Sequence, residues 1–189
     1  PLGFAKDPNI LYYNAYQNDK KVLFKIHLPS KETTLVFADD DYDVDGSLIY
    51  SKKTNDVIGI NHSNSEDGRI YWNNSRVDFQ KSLNKALPDS DVYLVDFSKD
   101  ENIYLLYTEN DYTPGMYYLG DRKDKSLTPI LEQYPALVPE VLTEHQFVTY
   151  TTRDGTKVEG YLTLPLNADG PVSAILHPHG GPGARESDG

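Results

Sequence analysis

The sequence has 189 residues, of which 38% are hydrophobic and 12% aromatic, a composition typical of a packed globular protein. Its formal net charge of −11 argues against nucleic acid and anionic membrane surfaces as partners, because both attract Lys and Arg. The absence of cysteine excludes disulfides, a thiolate nucleophile and a cysteine-based zinc site.

Tyrosine is the dominant aromatic residue, with 15 copies against 6 Phe and 1 Trp. A ring that packs while its hydroxyl reaches water suits half-buried strands, so we expect mostly β-structure. No apolar run reaches the roughly 18 residues of a membrane span. The start at Pro1 has no initiating Met and no signal-peptide pattern, so we expect the true N-terminus elsewhere. The alternative is that residues 1–3 are the remnant of a tag.

The first elements along the chain are short apolar runs that repeat. Residues 9–13 are echoed by 102–106, and residues 23–26 by 116–119, at an offset of about 93 residues. Residues 56–60 begin a similar unit halfway between them, which gives a period of about 46 residues. This period and the polar turns predict antiparallel sheets like the blades of a β-propeller, about three of them, too few to close a ring.

Two further kinds of element are predicted within these units. Residues 34–37 and 127–131 are expected to be outer strands. Residues 77–87 carry apolar side chains at helical spacing and end before Pro88, which predicts a short inserted helix.

An acidic run in the first unit resembles half of a calcium-binding loop. Asp41, Asp43, Asp45 and Gly46 match the first positions of an EF-hand, but Lys52 stands where the bidentate Glu is required. These three carboxylates are a calcium candidate, and a solvated acidic turn is the alternative. No other metal site is predicted.

The repeat stops near residues 135–144, which look like a linker. Residues 147–165 then predict a hairpin around Asp154-Gly155, because Asp-Gly supplies the positive φ that a tight turn needs. The continuous apolar run 172–176 predicts a buried strand that leads into the loop 177–183. We therefore divide the chain into residues 1–138 and 139–189.

The segments TRDGTKVEGYLTLP (152–165) and HPHGGPGAR (177–185) resemble the serine peptidases of the prolyl oligopeptidase family. More narrowly, they are similar to its bacterial dipeptidyl aminopeptidase and acylaminoacyl peptidase branch. The resemblance implies a mostly β chain: a partial β-propeller followed by the first strands of an α/β-hydrolase domain. It also implies short peptides as substrates, a Ser-Asp-His mechanism and no cofactor.

The resemblance assigns the oxyanion-hole loop to four residues. Gly181 is expected to donate the backbone N–H, while His179, Gly180 and Pro182 shape the turn. Gly183 departs from the family, where a larger residue is common. No Gly-x-Ser-x-Gly motif occurs, so no catalytic residue is assigned in this sequence.

We therefore expect a fragment of a serine-type exopeptidase or oligopeptidase that is inactive by itself. The alternatives are a non-catalytic, propeller-like binding or scaffold module and, third, an esterase or lipase with the same loop. The fragment is expected to associate with itself or with the rest of the enzyme, because an incomplete propeller exposes strand edges and apolar faces. A soluble location in the bacterial cytoplasm or periplasm is expected, and the sequence does not distinguish them.

Overall fold

The structure is a computed structural model that describes residues 1–63, 65, 68–178 and 180. Within these residues, 13 strands form four antiparallel sheets, and one α-helix follows the second sheet. The prediction of a mostly β chain is confirmed. No helix in the described part of the chain is long and apolar enough to cross a membrane.

Sheet 1 contains four strands in sequential order. They are β1 (Gly3–Phe4), β2 (Ile10–Gln17), β3 (Lys20–His27) and β4 (Glu32–Phe37). Asn18 and Asp19 form the two-residue turn between β2 and β3, both with positive φ (52° and 65°), as a type I′ hairpin turn requires. Asn and Asp tolerate this conformation, which is why the chain reverses here.

Sheet 2 is shorter and leads into the helix. Its strands are β5 (Leu48–Tyr50), β6 (Val57–Asn61) and β7 (Arg69–Tyr71), and α1 (Asn74–Ala86) follows. The predicted helix is confirmed, and it begins three residues earlier than expected. The reason is Asn73, whose side chain accepts a hydrogen bond from the Arg76 amide at 3.1 Å and caps the first turn.

Sheet 3 repeats the arrangement of sheet 1. Its strands are β8 (Asp91–Phe97), β9 (Ile103–Asn110), β10 (Thr113–Asp121) and β11 (Ser126–Glu132). β9 is as long as β2 and starts 93 residues later, and both are central strands of four-stranded sheets. The predicted repeat between these two units is confirmed, and β4 and β11 are the outer strands expected from sequence.

Sheets 1 and 2 pack through an apolar interface. Tyr12 and Leu23 of sheet 1 form one buried cluster with Val57 and Ile60 of sheet 2. The Tyr12 ring also stacks on Trp72, with the ring centroids 6.2 Å apart. Burial of these side chains holds the first two sheets together, since burying one large apolar side chain stabilises the folded state by about 1.5–3 kcal/mol.

Sheet 3 is covered on one face by α1. Leu83 of the helix packs on Leu94, Tyr104 and Leu106, and Leu106 is fully buried. A T-shaped contact between Phe79 and Tyr104, at 5.0 Å, adds a directional aromatic interaction. The buried cluster on this face of sheet 3 is therefore formed with the helix and not with the strands of sheet 2.

Polar groups join sheet 2 and α1 to sheet 3. The Glu101 carboxylate lies 2.8 Å from Arg76 Nη2 and accepts a hydrogen bond from the Ser51 hydroxyl at 2.7 Å. Arg76 also stacks over Phe97, with Cζ 3.7 Å from the ring centroid. Burial raises the pKa of Glu101, but Ser51 and Arg76 together outweigh it and hold this pKa below its usual range.

Sheet 4 is a two-stranded hairpin, β12 (His145–Thr151) and β13 (Lys157–Thr163), preceded by a 3₁₀ turn at Pro139–Val141. The predicted hairpin is confirmed: Gly155 has φ 87°, and Asp154 accepts a hydrogen bond from the Thr156 amide at 3.2 Å. The Thr152 hydroxyl donates to the same carboxylate, and these bonds lower the pKa of Asp154.

The strand predicted at residues 172–176 is wrong for this structure. These residues form no strand, and Ile175 and Leu176 are 95% and 91% exposed. A strand requires hydrogen-bonding neighbours and a surface to pack on. In the described residues this run pairs with no strand, so its apolar sequence alone does not order it.

Candidate functional site

The predicted oxyanion loop falls mostly outside the described residues. His179, Gly181 and Pro182 lie outside them, so their assignment stays a prediction. Gly180 is described as an exposed residue in a bend, and a Cβ placed on it would meet no atom within 4 Å. At this position glycine is therefore not required by packing within the described part of the chain.

The start of the hairpin contacts sheet 3 across the predicted domain boundary. His145 Nδ1 lies 2.7 Å from an Asp111 carboxylate oxygen, and the Tyr112 hydroxyl donates to Glu144 at 3.3 Å. The Tyr161 ring packs edge-on against His145 at 5.3 Å. No local sequence pattern indicates the partner of His145, because Asp111 lies 34 residues away in the turn between β9 and β10.

A second histidine is buried in a polar pair. His62 is 2% exposed, its Nε2 lies 2.7 Å from Asp39 Oδ2, and its ring packs edge-on against Phe37. The hydrogen bond to His62, followed by those from the Asp41 and Tyr42 amides, lowers the pKa of Asp39 to about 2. This pair fastens the acidic loop after β4 onto the end of β6.

The histidine pairs do not form a catalytic triad in the described part of the chain. His27 Nδ1 lies 2.7 Å from the Ser30 hydroxyl in an exposed turn, without a carboxylate partner among the described residues. Ser65, which lies close to the Asp39–His62 pair, donates its hydroxyl proton to the His62 carbonyl rather than to the imidazole. A nucleophile requires a base oriented by a third group, and none of these pairs supplies all three.

The calcium candidate lines an open cavity. Asp41, Asp43 and Asp45 border a space of about 620 Å³ together with Asp19 of the β2–β3 turn and Lys20 at the start of β3. The Asp43 carboxylate already accepts a hydrogen bond from the Lys21 amide at 2.8 Å. No three acidic or histidine side chains in residues 1–63, 65, 68–178 and 180 are arranged to hold a metal ion. The three carboxylates therefore form no ligand set here.

The comparisons with known proteins relate the chain to a peptidase. It is 29% identical to dipeptidyl aminopeptidase BIII of Pseudoxanthomonas mexicana over 199 aligned positions. The alignment includes the whole chain but only 28% of that protein, so the chain spans little more than a quarter of the relative's length. No family model and no solved structure matches. The similarity is thus a distant homology to a peptidase over part of its length.

Proposed function

We propose that the chain is part of a serine-type exopeptidase or oligopeptidase that hydrolyses short peptides. The observation that carries the proposal is the distant homology to a dipeptidyl aminopeptidase along the whole chain. The confirmed hairpin of residues 145–163 supports it, because this hairpin belongs to the sequence segment that resembles the prolyl oligopeptidase family. Residues 1–138 are then part of a β-propeller, and residues 139–189 open an α/β-hydrolase domain.

In this proposal the chain contributes an oxyanion donor. The Gly181 N–H stabilises the negative charge that develops on the substrate carbonyl oxygen, and one such donor accounts for about 3–4 kcal/mol of transition-state stabilisation. His179, Gly180 and Pro182 shape the turn that presents this N–H. The nucleophilic Ser and its Asp and His partners come from outside these 189 residues, so the isolated chain is expected to be inactive.

The experiment is active-site labelling with a fluorophosphonate in a lysate of the source cells. Trypsin cleavage after Lys157 and Arg185 releases one diagnostic peptide, residues 158–185. We expect this peptide to be found in a polypeptide whose label lies on a serine outside the 189 residues. The purified 189-residue chain is the control, and we expect it to take no label.

The outcomes separate the proposal from its alternatives. A label on a serine within the 189 residues contradicts the expected inactivity. An unlabelled polypeptide containing the diagnostic peptide overturns the peptidase and leaves a non-catalytic module. If the labelled polypeptide cleaves aryl esters but not dipeptidyl aryl amides, it is an esterase instead.

A further inference from the structure

Sheets 1, 2 and 3 form a stack through the interfaces described above, and the mostly exposed residues 134–144 lead from sheet 3 to the hairpin of sheet 4. The last backbone hydrogen bond to sheet 3 before the hairpin runs from the Gln133 amide to the Gly115 carbonyl, at 2.8 Å. The backbone bonds that follow within this segment are local turns. In the described part of the chain, the main chain of residues 134–143 therefore does not by itself determine where the hairpin lies.

Two side-chain contacts make the connection that this segment lacks. His145 Nδ1 lies 2.7 Å from Asp111 Oδ1, and the Tyr112 hydroxyl donates to Glu144 Oε2 at 3.3 Å. Adjacent residues in the turn between β9 and β10 thus meet adjacent residues at the start of β12, with one donor and one acceptor on each side. A single bond leaves the hairpin free to rotate about it, whereas two bonds side by side also define its orientation.

The bond between His145 and Asp111 is the stronger of the two. An ionised carboxylate only accepts hydrogen bonds, so the imidazole Nδ1 carries the proton and donates it. The His145 and Asp111 side chains are 28% and 27% exposed, and the Tyr161 ring packs edge-on against the imidazole at 5.3 Å. This bond is therefore shorter and better shielded from water than the contact of Tyr112, which is 47% exposed.

We propose that Asp111, Tyr112, Glu144 and His145 form a latch that holds the hairpin in one orientation against sheet 3, with residues 134–143 as the hinge. Polar contacts at partly exposed sites contribute modestly to stability, so the latch can open without unfolding either sheet. Hinges are short stretches at the ends of elements that absorb the change in backbone angles. This inference does not depend on the peptidase proposal. Under that proposal, the latch also orients the part of the chain that carries Gly181.

The test is distance measurement by double electron–electron resonance on the spin-labelled 189-residue chain. The chain contains no cysteine, so Thr128→Cys on β11 and Thr149→Cys on β12, both exposed, provide the two labelling sites. We expect one narrow distance distribution when the latch is intact. The combination of Asp111→Ala and Tyr112→Phe removes both bonds and is expected to raise the ratio of displaced to latched molecules by about tenfold.

Two further variants separate the latch from a general loss of charge. Asp124→Ala removes the same charge from the turn between β10 and β11, and the Asp124 carboxylate has no hydrogen-bond partner in the described part of the chain. This matched control is expected to keep the narrow distribution. Asp111→Asn retains a side-chain oxygen that can accept the imidazole N–H, so it is expected to restore most of the narrow distribution.

Urea unfolding followed by Trp72 fluorescence checks that each variant is folded, because Trp72 lies between sheets 1 and 2 and away from the latch. We expect the midpoint to stay unchanged. If Asp111→Ala lowers it, His145→Phe replaces that substitution, since it removes the donor and keeps an aromatic ring beside Tyr161.

A second measurement reports on the bond itself. The ¹⁵N spectrum of the imidazole distinguishes a proton on Nδ1 from one on Nε2, and it is recorded at alkaline pH, where an ordinary imidazole is neutral. We expect His145 to carry its proton on Nδ1 in the wild type. In Asp111→Ala, where the acceptor is lost, we expect the proton to shift towards Nε2.

Three results overturn the proposal. The first is a folded double variant whose distance distribution is as narrow as that of the unaltered latch. The second is a broad distribution when all four latch residues are present, which means that they do not hold the hairpin. The third is a wild-type His145 with its proton on Nε2. Neither measurement requires turnover, so a failure of the peptidase proposal is distinguishable from a failure of the latch.

Discussion

Replacing Glu101 with Gln tests whether the contact between sheets 2 and 3 depends on a buried charge pair. Arg76 is 5% exposed and Glu101 12% exposed, with 2.8 Å between their charged atoms. Breaking a buried pair by neutralising one partner costs about 3–5 kcal/mol, because the other charge remains buried. Gln is isosteric and can keep the hydrogen bond from Ser51, so we expect the lower end, about 3 kcal/mol of unfolding free energy.

The assay is urea unfolding followed by the fluorescence of Trp72, the single tryptophan, which lies in the cluster between sheets 1 and 2. With an m value of about 2 kcal/mol per molar urea, the midpoint is expected to fall by about 1.5 M. All variants are compared at one low protein concentration, because association shifts apparent stability.

A double-mutant cycle with Arg76→Met isolates the pair. The double variant buries neither charge, so we expect its cost to be smaller than the sum of the two single costs by at least about 1 kcal/mol. Additive costs, or a loss below about 1 kcal/mol for Glu101→Gln, would refute the reasoning.

The pH dependence has a definite sign. Because the pKa of Glu101 is lowered in the folded state, its contribution is present above the unfolded-state value of about 4.3 and is lost as the pH falls through the lowered value. The difference in stability between wild type and Glu101→Gln is therefore expected to shrink in acid. A difference that is constant with pH contradicts a role for the carboxylate charge.

Two further predictions concern single positions. Asp39→Asn removes the charged partner of buried His62 and is expected to cost about 1–3 kcal/mol at pH 7 in urea unfolding. Because the pKa of Asp39 is lowered to about 2, this cost should fade as the pH drops from about 4 towards 2, and a pH-independent cost contradicts the pairing. Gly120→Ala is expected to lower the thermal midpoint and cost about 1–3 kcal/mol, because a Cβ there would overlap the buried Tyr104 ring across the strand pair. An unchanged midpoint would show that this ring moves aside.

The sequence predicted elements whose signals are local. The hairpin around Asp154 and Gly155 follows from turn chemistry, and α1 follows from apolar spacing that ends before Pro88. The 93-residue repeat predicted where the two four-stranded sheets lie along the sequence, because each unit carries its own pattern of strands and turns. These features depend on residues within a few positions of one another.

The polar pairs were not predictable in the same way. Arg76 lies on a helix whose sequence gives no sign that this charge is buried. Its partner Glu101 lies in the turn between β8 and β9. Their contact depends on how α1 packs between sheets. The apolar run 172–176 shows the converse error, since its hydrophobicity predicts a strand only where neighbouring strands exist to pair with it.

The two interfaces of the stack place different constraints on how the sequence changes during evolution. Between sheets 1 and 2, aliphatic side chains such as Leu23 and Ile60 can exchange with others of similar volume one at a time. Between sheets 2 and 3, a change at Ser51, Arg76 or Glu101 leaves a buried polar partner behind. We therefore expect homologues to vary independently at the first interface and to change together at positions 51, 76 and 101.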